Sequence, residues 1–196
     1  EPVKIKIMDN PSKITEGGVE YSLGKFDGSY VHYDFKKILI YLNAKGKLLF
    51  GKQFKIYKED KTILLKLISY FLRDKDNCKK YGLDIEKGIL LSGPVGCGKT
   101  SLMKLLRHLA PRQRPYEIFA IEPPGRFYGK DLNVMGEVLL SRYELYLETR
   151  KRLKTHATTN LNAEELEERY GNRVRSRMRE LFNLIAFDKG SRDKRE

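Results

Sequence analysis

Residues 93–100, Gly-Pro-Val-Gly-Cys-Gly-Lys-Thr, have the residue types and spacing for one kind of chemistry, the holding of phosphate. The run fits G-x-x-x-x-G-K-[S/T] without a mismatch. Glycines let a backbone curl until successive N–H groups converge on an anion. A helix that starts where the loop ends adds its unsatisfied N-terminal donors and the positive end of its dipole. Lys99 can then reach the β- and γ-phosphates of a nucleotide, and Thr100 can ligate a Mg²⁺ that bridges them. The candidate nucleotide-binding residues are therefore Gly93, Pro94, Val95, Gly96, Cys97, Gly98, Lys99, Thr100 and Ser101, with Thr100 as metal ligand and ATP with Mg²⁺ as the expected cofactors.

Such a loop works only between a strand and a helix, and the flanking residues supply both. Gly88-Ile89-Leu90-Leu91 reads as a short buried strand, and residues 101–110 are good helix formers running up to Pro111. Upstream, residues 1–30 are polar, with short alternations such as Val3-Lys4-Ile5-Lys6-Ile7, and suggest a loosely structured or β-rich arm. Residues 33–54 read as a helix stopped near Gly46, followed by a short extended piece. Ile63, Leu64, Leu67, Ile68, Phe71 and Leu72 fall at helical spacing and form an ordinary core stripe. Downstream, residues 116–121 predict a strand ended by Pro123 and Pro124, 133–153 an amphipathic helix, and 154–161 a strand with a polar end. A further helix begins with full capping signals: Asn162 as cap, Glu165 three residues on, Leu161 and Leu166 as hydrophobic staple, and Gly171 as stop. A second helix over 172–183 precedes a last strand, Leu184–Phe187. Strands alternating with helices after a phosphate loop predict a parallel α/β sheet with helices on both faces.

A nucleotide in an open parallel sheet lies at the carboxyl ends of the strands. Thr158, Thr159 and Asn160 belong to that edge, where Asn160 can orient a water against the γ-phosphate. The same three residues can equally be polar strand-end residues that feed the Asn162 cap. The helix after Gly171 carries Arg173, Arg175, Arg177 and Arg179; the first and third flank one side of the Val174/Met178/Leu181 stripe, the others the opposite side. A charge run on a helix is usually a solvated face. Arginine without lysine is less ordinary, because its planar fork suits bidentate phosphate contact, and one of the four can serve as an arginine finger toward a neighbouring subunit.

Composition bounds the rest. The chain has 196 residues, 40% hydrophobic and 33% charged, which suits one globular domain with a small appendage. No apolar run is long enough to span a bilayer, and the first ten residues lack the apolar segment of a signal peptide, so a cytoplasmic location is expected. Net charge is +13, spread as an excess of 5, 4 and 4 over residues 1–70, 71–140 and 141–196. An evenly basic surface favours a polyanionic partner, nucleic acid above all, although solubility alone also explains it. Cys78 and Cys97 make neither a disulfide framework nor a zinc site, and His32, His108 and His156 are scattered. A helix N-terminus favours the Cys97 thiolate, but a small loop filler in a reducing compartment is the preferred reading over a redox role.

Taken together, residues 88–106, 156–180 and 184–195 resemble the AAA+ ATPases of the DnaC/IstB-like group, helicase loaders and ATPase helpers of transposition. The likeness runs from about Lys61 to Arg195, and Thr158-Thr159-Asn160 followed by residues 165–178 is its most specific part. The resemblance implies a P-loop NTPase with an AAA+ core over residues 61–196, no C-terminal lid domain, and an arm or small appendage of unassigned role over 1–60. It makes Asn160 the γ-phosphate sensor, and Arg177 first and Arg173 second the finger that reaches the adjacent protomer. Lys99, Asn160, Arg177 and Arg173 are thus the candidate catalytic residues. It also implies a homo-oligomer, DNA (single-stranded by preference) as partner, and a replicative helicase or transposase alongside it.

One departure is serious. Such ATPases end an apolar strand in paired acids that hold Mg²⁺ and polarise water, whereas only Glu117 and Glu122 stand near the expected place. The strands count to four where an AAA+ core has five. The favoured expectation is that a strand–helix unit of about 30 residues is missing near 115–124, with a break at Ile118–Phe119 or Phe119–Ala120. The alternative is an ATP-gated DNA-binding module without turnover. A P-loop nucleotide kinase is the remaining rival, and it leaves the 158–178 block unexplained.

Overall fold

The polar N-terminal stretch resolves into two short antiparallel hairpins. β1 (Lys13–Glu16) pairs with β2 (Val19–Ser22), and β3 (Gly24–Phe26) with β4 (Val31–Tyr33). The computed structural model describes residues 10–109, 118–121, 125–127, 130–132, 134–188 and 190–194, so the Val3–Ile7 alternation lies outside the described residues. The chain divides into two compact units, Glu1–Glu59 and Asp60–Glu196.

In the first unit the hairpins are followed by α1 (Phe35–Phe50), capped by the Asp34 carboxylate, which accepts from the Lys36 and Lys37 amides. The expected stop at Gly46 is not observed. The helix runs on to Phe50 and ends at Gly51, whose φ of 103° no side chain would favour. Gly46 is buried inside it, and a Cβ there would lie 2.1 Å from the Phe54 ring. The glycine is a socket for an aromatic ring, a use that local spacing does not reveal.

The second unit is a mixed α/β domain whose parallel sheet is flanked by helices, an architecture compatible with a P-loop fold. α2 (Lys61–Phe71) buries Leu64, Leu67, Ile68 and Phe71, as its spacing predicts. A short helix not foreseen from sequence, α3 (Lys75–Lys80), is capped by Asp74. Then come β5 (Gly88–Ser92), α4 (Lys99–Leu106) and β6 (Ile118–Ile121), followed by a second unforeseen feature, the antiparallel pair β7 (Gly125–Phe127) and β8 (Lys130–Leu132). α5 (Val134–Glu148), β9 (His156–Thr159), α6 (Ala163–Leu181) and β10 (Phe182–Ala186) complete the unit. The four strands expected in the sheet are the four found, in the order β10-β5-β9-β6, every neighbouring pair parallel. β5 lies between two strands and all five of its residues are buried, which is why Gly88–Leu91 reads as a continuous apolar run.

α6 keeps both of its sequence signals. Asn162 and Glu165 form the reciprocal capping box, and Gly171 leaves helical geometry (φ 75°, ψ 166°), so the helix kinks there. Its Val174, Met178 and Leu181 are buried with Leu139 and Tyr146 of α5 and with Leu90 and Ala157 of the sheet. The expected chain break is corrected where it can be followed. Ile118–Ile121 is one strand in unbroken register with His156–Thr159, so neither named junction separates two strands. Glu117 and Glu122, with most of the 115–124 stretch, lie outside the described residues. Among the described residues no helix is long and apolar enough to cross a membrane.

His156, at the start of β9, is a core residue. Its Nδ1 accepts from the Ile89 amide at 3.2 Å, and the rings of Tyr70 and Phe71 pack against it. Burial, aided by the Lys154 charge, pushes its pKa down from 6.5 to about 3. The unfolded chain therefore binds a proton below pH 6.5 that the folded chain refuses until about pH 3. This contribution is fully present above pH 6.5 and is lost as pH falls, on the order of 2 kcal/mol between pH 7.5 and 5. Imidazole NMR should show His156 neutral down to pH 4.5; a titration midpoint near 6.5 would show the burial is not maintained in solution.

Candidate functional site

The loop between β5 and α4 leaves the carboxyl edge of the sheet from a strand buried along its whole length. Its glycines have separate reasons to be there. Gly93 donates its amide to the Thr159 carbonyl at 3.2 Å, and a Cβ there would fall 2.7 Å from Cβ of Phe187. Gly96 (φ 80°) and Gly98 (φ 92°) take left-handed backbone angles, the alternation that turns successive amides to one side of a loop. Gly98 is also the residue before the first turn of α4, so the amides of that turn continue the row.

Lys99 is buried, at 7% exposure, and its ammonium is turned back on its own loop. Nζ donates to the carbonyls of Gly93 and Pro94, both at 2.7 Å, and to Oδ1 of Asn160 at 2.8 Å. Three acceptors satisfy the three protons of an ammonium. Burial nevertheless pushes its pKa down, opposed by the neighbouring Cys97. Thr100 is exposed on the first turn of α4 and Val95 on the crown of the loop.

Asn160 is brought in by β9, which ends at Thr159 on the same edge of the sheet. The three polar residues of this edge part company. Thr158 and Thr159 are buried in the strand, and Thr159 Oγ1 accepts from the Leu161 amide at 3.1 Å, while Asn160 alone is exposed and meets Lys99. Ser92, the last residue of β5, donates its hydroxyl to the Leu161 carbonyl at 2.9 Å and so ties the two strand ends together.

Two sequence readings gain detail here, and for Cys97 the loop-filler reading is the one the burial fits. Cys97 is fully buried, and burial raises its thiol pKa despite the charges of Lys99 and Lys194, so the thiolate is not favoured at this helix start. The arginine helix does not present its four charges alike. Arg175 is buried, with its Nε unpaired among the described residues, whereas Arg179 is exposed and pairs with Glu167 at 3.2 Å. Arg173 is exposed just beyond the kink. Arg177 donates to Glu180 at 2.9 Å and lies 4.6 Å from the centre of the Tyr143 ring, whose hydroxyl donates to the same carboxylate at 2.6 Å. These contacts join α5 to α6; none of them is with the loop.

The structure adds residues that the sequence does not single out. Asn183, a polar residue inside the apolar β10, accepts from the Asp84 amide and donates to the carbonyls of Asp84 and Gly88, which fixes the lead into β5. Its placement in an apolar run is the one signal that could have found it. Asp60 and Lys194 are 134 positions apart in sequence and form an ion pair at 2.5 Å, with side chains only 5% and 11% exposed. No local pattern marks a pair so distant. Among the described residues no group of three or more His, Cys, Asp or Glu side chains is arranged to hold a metal ion. Compared with protein-family models, curated proteins and solved structures, the chain matches none.

Proposed function

We propose that the chain binds ATP at residues 93–101 and hydrolyses it as an AAA+ protein acting on DNA, in the manner of a helicase loader or transposition helper. The single observation that supports this most is the hydrogen bond from Lys99 Nζ to Asn160 Oδ1, which joins the phosphate loop to the end of a neighbouring strand. In the absence of phosphate, the ammonium rests on two loop carbonyls and one side-chain amide. A nucleotide offers it stronger, charged acceptors. The lysine moves to the β- and γ-oxygens, and Asn160 is released beside the γ-phosphate, where an amide can orient water. Thr100, an exposed residue on the first turn of α4, would hold a Mg²⁺, which would supply positive charge against the phosphates. Arg177, with Arg173 second, acts on the nucleotide of an adjacent copy, which makes the working form a homo-oligomer.

ATP turnover measured with and without single-stranded DNA tests this reading against its rivals. DNA-stimulated phosphate release supports it. Binding without turnover under either condition supports the ATP-gated module, which the lack in the sequence of an apolar strand ending in paired acids favours. Phosphate transfer to a nucleoside or nucleotide acceptor supports the kinase.

The +13 charge carries its own expectation. DNA affinity should fall steeply between 50 and 200 mM salt, on the order of 10³-fold if about six phosphates are contacted. A flat salt dependence in a fluorescence-anisotropy titration would assign the charge to solubility.

A further inference from the structure

The residues after β10 come back over the phosphate loop. The Lys194 amide donates to the Gly96 carbonyl at 3.0 Å, and its Nζ donates to the Cys97 carbonyl at 2.9 Å while paired with Asp60. The Asp193 side chain lies where a Cβ on Gly96 would be, 2.2 Å from that position, and Lys194 Nζ is 5.2 Å from the centre of the Phe187 ring. With Lys99 taking the carbonyls of Gly93 and Pro94, four carbonyls of the loop are held by two lysines, one from within the loop and one from beyond the last strand.

The direction of these bonds matters. In a trans peptide the C=O points opposite to the N–H of the same plane, and the chain has no cis peptide bond among its described residues. The Gly96 carbonyl shares its plane with the Cys97 amide, and the Cys97 carbonyl with the Gly98 amide. In the phosphate-loop reading, those amides belong to the row that left-handed glycines such as Gly96 (φ 80°) and Gly98 (φ 92°) turn to one side. Lys194 therefore bonds the carbonyl side of both planes, that of Gly96 through its backbone amide and that of Cys97 through its ammonium, opposite their N–H groups. A cation bonded to a carbonyl polarises the whole amide and makes its N–H a stronger donor. It also fixes planes that glycines would otherwise let turn.

We infer that the Lys194 side chain is a positioning group of the nucleotide site, acting through the Cys97 carbonyl on the Gly98 amide, with Asp60 holding its ammonium in place. This rests on the phosphate-loop reading above. In that reading the Gly98 amide serves the phosphates rather than the base, so Lys194 supports ADP and ATP alike.

Removing one member of a buried ion pair strands the other, so the decisive variant is Asp60→Asn with Lys194→Met, which removes both charges. It should melt near the parent without nucleotide but bind ADP and ATP about tenfold more weakly. In the ligand-free protein the Gly98 amide proton should move upfield while that of Cys97, whose plane is bonded by the unchanged Lys194 backbone amide, stays in place, a pattern that general loosening of the fold does not give. Lys194→Arg should retain most of the affinity. Lys194→Gln, which can still donate to Asp60, is read by the same two measurements and decides the question if the double variant does not fold. Unchanged nucleotide affinity, or an unmoved Gly98 resonance, overturns the assignment. The unmodified chain is titrated in parallel. If it binds neither nucleotide, the phosphate-site reading itself has failed; if it binds and the variants bind equally well, only the role of Lys194 has failed.

Discussion

Lys99→Ala should lower the affinity for Mg·ATP by at least about 100-fold while leaving the sheet intact. Two charge-assisted hydrogen bonds to phosphate, at about 1.5–3 kcal/mol each, account for that loss. The side chain is buried and its ammonium hydrogen-bonds the Gly93 and Pro94 carbonyls and Asn160, all at the edge of the sheet. The Gly93 and Pro94 carbonyls lose their donor but stand on a partly exposed loop, where water replaces it. Calorimetric titration of the variant, with circular dichroism to verify folding, checks the result. A folded Lys99→Ala chain that binds as tightly as the parent would remove the loop from the mechanism.

Arg177→Ala should leave nucleotide binding by the single chain nearly unchanged and lower turnover by about 10³-fold, because a finger acts only on the neighbour's transition state. The structure supplies the control. Arg177 and Glu180 form an i,i+3 pair with side chains 40% and 48% exposed, and such surface pairs contribute little to stability. A large fall in turnover without a fall in melting temperature therefore separates a finger from a helix-surface ion pair. Mixing this variant with Lys99→Ala should restore part of the activity, since mixed neighbours pair an intact loop with an intact arginine. A mixture as inactive as either parent would show that the arginine does not act across subunits.

Much of the second unit is legible in sequence because its signals are local. A phosphate loop needs its glycines at set positions, a buried parallel strand reads as an apolar run, and Asn162 with Glu165 announces the start of α6. Asn160 can be placed at the right edge of the sheet, but its meeting with Lys99, 61 positions earlier, follows from strand order and not from spacing. The misreadings have the same origin. Gly46 looks like a helix stop until Phe54 is seen to fill the space beside it. Arg175 shows the limit of helical-wheel reasoning. Spacing puts it on the flank of an apolar stripe, whereas the kinked α6 and its neighbours bury it to within a few per cent of the exposure of Val174. Asp60 and Lys194 are invisible to any local reading, since each is an ordinary charged residue until the fold brings them together.

Calorimetric titration of the unmodified chain with Mg·ATP, and then with AMP, tests the central claim most directly. A lysine that leaves two loop carbonyls and Asn160 for the β- and γ-phosphates predicts saturable binding of Mg·ATP at one site per chain, and far weaker binding of AMP, which lacks both of those phosphates. Absence of saturable Mg·ATP binding, or AMP bound equally well, would contradict it.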